Sequence, residues 1–242
     1  MHNTIELKKT NTQFAKNARI IGILMLLQLV FGILLNFFFL KPILNMGTQS
    51  ITVNLSFLVG FSTLLALLLS SFNIAFGLLL PRAITDQVKN SVNLIIIFAS
   101  VGFALCALEY IKMTEYVSYA SSLIQQTSET ITSEQEILRK TLASGRNEAH
   151  FLSIIISSLS IFLFYVVTLL SKLLPKPLSI FAIFACAMQL IAVGHTLFSQ
   201  EIPMLMQMPL LFSQIVVPVY LITKGFNAHS IQSSSFGYQA VK

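Results

Sequence analysis

The chain has 242 residues, 55% of them hydrophobic and only 10% charged, with a formal net charge of +6 and a mean hydropathy of +0.80. Soluble domains carry roughly a quarter charged residues, so this composition excludes an ordinary soluble enzyme or binding module and leaves an integral membrane protein. The basic residues sit at the ends of apolar stretches, where they serve orientation, which argues against a nucleic-acid partner.

Residues 1–17 are polar, with Lys8, Lys9 and Lys16, and precede an apolar run from Ile20 to Leu40. The run is too long for the core of a cleaved signal peptide and leaves through Lys41 and Pro42, so it is expected to stay as a first span. Gln28, Gly32 and Asn36 recur every four residues within it, a face suited to close helix approach and interhelical hydrogen bonding. The second span, from about Leu55 to Leu80, has Ser56, Thr63, Ser70 and Gly77 at intervals of seven, with Ala66 and Asn73 between, a small-residue seam. The third, from about Ser91 to Met113, places Ala99, Gly102, Cys106 and Glu109 on one face. Tyr110, Tyr116 and Tyr119 follow, and read as an interfacial belt.

From Thr127 to Asn147 the chain is polar. Ser133 with Glu136 suggests a capping box, and Gly145 is placed to end a short helix. The fourth span, His150 to Leu170, carries His150, Ser153, Ser157, Ser160, Phe164 and Thr168 on one stripe. The serine row suits helix packing better than a polar path. After Leu174-Pro175-Lys176-Pro177 the fifth span aligns Ala182, Ala185, Gln189, Ala192, His195 and Ser199 on a single face that calls for protein rather than lipid. The sixth, Met204 to Thr223, holds Gln207 and Gln214 and is expected to be interrupted by Pro209 and Pro218.

The fold expected is therefore all-α, a polytopic bundle of six transmembrane helices. Residues 1–17 form a cytoplasmic segment, 18–226 the bundle with an extracytoplasmic loop at about 114–148, and 227–242 a disordered cytoplasmic tail. Of the 15 Lys and Arg residues, only Lys41, Lys112, Arg139, Lys140 and Arg146 fall on the side of that loop, so both termini are expected in the cytoplasm. Cys106 and Cys186 both lie inside spans at different depths and are expected to be unpaired.

No H-E-x-x-H, G-x-S-x-G or P-loop pattern is present, so no enzyme class has an anchor and no cofactor is named. The topology brings Asn36, Glu109, His150, His195 and Gln207 near the outer ends of their spans, the candidate ligand-binding cluster. Glu109, His150 and His195 could supply the three protein ligands of an open zinc site if their spans are adjacent. The pattern favours small-molecule binding or transport in the bilayer. The alternatives are a membrane-embedded metal-dependent enzyme and a non-catalytic interaction or sensing protein. The oligomeric state is not legible.

Ala18-Arg19-Ile20-x-Gly22 opening the first span, Leu174-Pro175 with Leu178 before the fifth, and Lys224-Gly225-Phe226 closing the sixth resemble a bacterial family of six-helix membrane proteins known as a domain of unknown function. The resemblance spans Ala18 to Phe226. It implies a six-span bundle in the bacterial inner membrane and brings no established activity or catalytic residues.

Overall fold

A computed structural model describes residues 2–44, 55–80, 86–125, 132–198, 200 and 202–227, and every regular element among them is helical. The reason is solvent: lipid cannot hydrogen-bond a backbone, so an apolar run must satisfy its own N–H and C=O groups within a helix. Helix α1 covers His2–Leu34 and continues through a π-helical segment, Leu35–Leu40, into a last turn, Lys41–Leu44. It is followed by α2 (Leu55–Leu79), α3 (Asp86–Gln125) and α4 (Ser133–Leu170). Helix α5 (Lys176–Gly194) runs on as a 3-10 turn, His195–Phe198, and α6 covers Met204–Thr223. Six of these helices are long and apolar enough to cross a membrane. Ser199 and the tail 228–242 lie outside the described residues.

Each helix packs beside its neighbours in sequence and α6 returns to α1, so the six close into a ring, with α2 also touching α4 across it. The α2–α4 contact is made by Phe76 and Phe164, whose ring centroids are 6.0 Å apart. Two apolar clusters hold the ring. One joins Ala18, Ile21, Phe76, Phe164, Leu173, Val217, Leu221 and Phe226, at the end where the chain enters and leaves the bundle. The other, toward the opposite end, joins the far part of α1 (Leu35, Leu40, Ile43) to α2 and α3.

Ring closure depends on glycine. A Cβ at Gly22 would lie 2.8 Å from the Pro218 carbonyl oxygen and 2.9 Å from Ile222 Cγ1, so only glycine lets α1 meet α6 there. Gly225, at φ +75°, turns the chain out of α6 against Ala15. Asn17 Nδ2 donates to the Leu79 carbonyl and the Asn227 N–H to that of Leu173, tying α2 and the α4–α5 turn to the same end.

Four expectations change. The polar stretch before His150 is not a short helix ended at Gly145: α4 runs unbroken from Ser133, and its capping box uses Thr132 and Gln135, one position earlier. With 40 residues in α3 and 38 in α4, these helices reach about 57–60 Å at 1.5 Å per residue. That is nearly twice the ~30 Å hydrocarbon core. They therefore project beyond the bilayer as an antiparallel hairpin rather than a loop. Tyr110 and Tyr116 are buried in the cluster that joins α1, α2 and α3 instead of standing out as an exposed belt. Finally, α6 is continuous through Pro209 and Pro218. Each proline removes one i→i−4 donor, leaving the carbonyls of Leu205 and Gln214 without their helical partner.

Candidate functional site

The polar faces of α3 and α4 meet each other. Ser160 Oγ donates to the Ile95 carbonyl at 3.0 Å and Ser153 Oγ to that of Gly102 at 3.4 Å. A Cβ on Gly102 would stand 2.5 Å from Ser157 Oγ. The serine row is thus a packing seam. Two turns farther along, Arg146 Nη2 donates to Glu109 Oε1 at 2.9 Å, and His150 Nδ1 lies 2.9 Å from the same oxygen. A carboxylate held by a guanidinium can only accept, so Nδ1 is the protonated nitrogen of that ring. Arg146 and His150 stand four residues apart on one face of α4, which is why both reach one acid. Glu109 and Arg146 are 4% and 5% exposed, and their ion pair links α3 to α4. Arg146 lies on the polar stretch whose composition suggests a loop but which is helical.

His195 does not join them. It caps α5 at the start of the 3-10 turn, half-buried, and its ring has no hydrogen-bond or ion-pair partner among the described residues. Among those residues no three of His, Cys, Asp and Glu come together to hold a metal ion, so the zinc arrangement of Glu109, His150 and His195 is not formed. Cys106 and Cys186 are free and buried.

Asn36 and Gln207, the other two candidates, line a cavity of about 600 Å³ between α1, α4 and α6. Its origin lies in the divergence of two helices. At Gly22 and Pro218 the axes are pressed together, but beyond Met25 the far part of α1 belongs to the α2–α3 cluster while α6 goes its own way. The wedge left between them is the cavity. The π-helical segment Leu35–Leu40 marks the departure, burying Leu35 and Leu40 against α2 and α3. Such segments widen a helix locally and are frequent at functional sites. The walls carry Gln28, Asn36, Gln207, Gln214 and Tyr165 among apolar residues such as Met25, Phe76 and Ile161.

These two sets of residues lie in a recognisable kind of chain. A family model described as a domain of unknown function, DUF4386, matches residues 20–225. The chain belongs to this family. No curated protein and no solved structure matches it. In this DUF4386 member the motifs that suggested the resemblance all gather where the ring closes. Gly22 abuts α6, Gly225 abuts Ala15, and Leu173, Leu174 and Phe226 are buried together nearby. They account for the architecture and stand apart from both the ion-paired triad and the cavity.

Proposed function

We propose that this protein binds or carries a small molecule inside the bilayer of a bacterial inner membrane, with both termini in the cytoplasm, and that the α1–α4–α6 cavity is where it does so. The observation that supports this reading is the cavity itself: about 600 Å³, walled mainly by apolar side chains with a few convergent polar groups. Ligand sites commonly measure about 300–1,000 Å³ and have this mixed lining. Asn36 and Gln207 are the site residues in this proposal. Glu109 and His150 are left to hold the helices together, because their shared oxygen is already committed to Arg146.

A filled cavity tests it. Gly32 lines the space, and a Cβ there would meet nothing within 4 Å, so Gly32→Phe can extend into it without backbone strain. Gly60 is equally open and lies outside the cavity, which makes Gly60→Phe the matched control. Organic extracts of the purified proteins, compared by mass spectrometry, should show a bound molecule in wild type and Gly60→Phe that is lost from Gly32→Phe at an unchanged melting temperature. Identical extracts from all three would overturn the proposal.

A further inference from the structure

We infer that the cavity takes an uncharged single-chain lipid with a hydroxylated head, of the monoacylglycerol kind, admitted sideways from the bilayer between α1 and α6; the inference rests on the binding role proposed above. None of the residues lining the cavity is Asp, Glu, Lys, Arg or His. A charged head in a low-dielectric space would need a counter-charge to offset its desolvation, and the walls supply none. What they supply are carboxamides and a phenol.

The hydrogen bonds these groups already make indicate what they still require. The Gln28 amide nitrogen donates to the Leu69 carbonyl at 3.2 Å and to Asn73 Oδ1 at 3.1 Å, and Asn36 Nδ2 donates to the Gly32 carbonyl at 2.9 Å. Both nitrogens are turned to protein, which leaves their side-chain oxygens as acceptors on the α1 wall. Tyr165 is only 2% exposed, yet its hydroxyl has no hydrogen-bond partner among the described residues. A phenol so deeply placed ordinarily finds one. Gln207 and Gln214, seven residues apart on one face of α6, likewise have no side-chain partner among the described residues. Acceptors on one wall, amides on the other and a phenol at the back match a head with several hydroxyl groups, each able to donate and accept.

The mouth argues for a lipid route. Phe37, Met204 and Met208, on the α1 and α6 sides of the cavity, are 65%, 77% and 51% exposed. In a membrane this flank faces acyl chains, and unbranched methionines adapt to a passing chain at small cost. An apolar tail can remain between the helices while the head reaches Tyr165.

The chain contains no tryptophan, so Phe37→Trp provides a single fluorophore at the mouth. In phosphatidylcholine vesicles holding this variant, a monoacylglycerol brominated on its chain should quench the fluorescence with saturation at low mole fraction. Brominated phosphatidylcholine should give only gradual, unsaturated quenching. Adding Tyr165→Phe, or Gln207→Leu where a second variant is needed, should weaken the saturable phase about tenfold, the effect of one buried hydrogen bond. A brominated fatty acid of the same length, carrying a carboxylate, should show no saturable phase. Equal saturable binding of the fatty acid, or of the monoacylglycerol with and without the Tyr165 hydroxyl, would overturn the inference. A phosphate, ammonium or carboxylate compound in the Gly32-dependent extract would also overturn it while leaving the binding role intact. Absence of any Gly32-dependent molecule would remove both.

Discussion

Glu109 shows how a polar residue can be located from sequence while its purpose is not. The three-and-four spacing of Ala99, Gly102, Cys106 and Glu109 already placed the acid on a helix face that meets another helix, and His150 on the facing stripe is indeed 2.9 Å away. Arg146 was hidden because it lies four residues before the apolar run begins, among loop-like neighbours, yet its guanidinium makes the other 2.9 Å contact. The pair behaves as buried charges do. Arg146→Leu should cost about 3–5 kcal/mol, because it strands Glu109 as an uncompensated charge in a site 4% exposed. Glu109→Gln combined with Arg146→Leu should recover most of that loss. Denaturant melts in detergent for both single variants and the double variant measure the coupling, and simple additivity would show that the contact carries no weight. Tyr165 was illegible for a different reason: one tyrosine in an apolar run looks the same in sequence whether its hydroxyl is satisfied by protein or left facing a cavity.

At the level of elements, the spans were legible because apolar length is a direct reading of bilayer thickness. What lay beyond the bilayer was not. Residues 133–149 are polar and contain Gly145, a composition that serves a surface helix as well as a loop, and only the facing surface of α3 makes the helical choice favourable. The two glycines of this pair should respond oppositely. Gly102→Leu should destabilise by about 1–3 kcal/mol or more through overpacking, since even its Cβ would press on Ser157, with the Ser157 backbone nitrogen 3.3 Å away. Gly145→Ala meets nothing within 4 Å and should stabilise by about 0.5–1 kcal/mol through helix propensity. Thermal melts in one detergent compare them, and equal signs would mean that α3 and α4 do not approach as described. The prolines of α6, helix breakers by their propensity in water, do not interrupt it, because in lipid leaving the helix costs more backbone bonds than a proline does.

Over the whole molecule, the ring places residues 15 and 225 in contact and the α3–α4 hairpin at the other end. On the proposed orientation, with the termini cytoplasmic, Ser144→Cys on the exposed hairpin should react with an impermeant maleimide on intact cells, in a background of Cys106→Ala and Cys186→Ala. Thr223→Cys should react only after permeabilisation. The opposite pattern would invert the protein in its membrane. The cavity was half legible at this scale, because Gln28, Gly32 and Asn36 were seen to share a face but nothing in a linear pattern says that α1 and α6 part company above Gly22. That the wall of the cavity is shared by α1 and α6 also sets a timetable for biosynthesis. The ribosome delivers α1 long before α6, so until α6 arrives the cavity faces of Gln28, Asn36 and Tyr165 have no opposite wall. The pocket is completed only when α6 docks on Gly22, with Gly225 set against Ala15. Until α6 has docked, the cavity therefore lacks one of its walls.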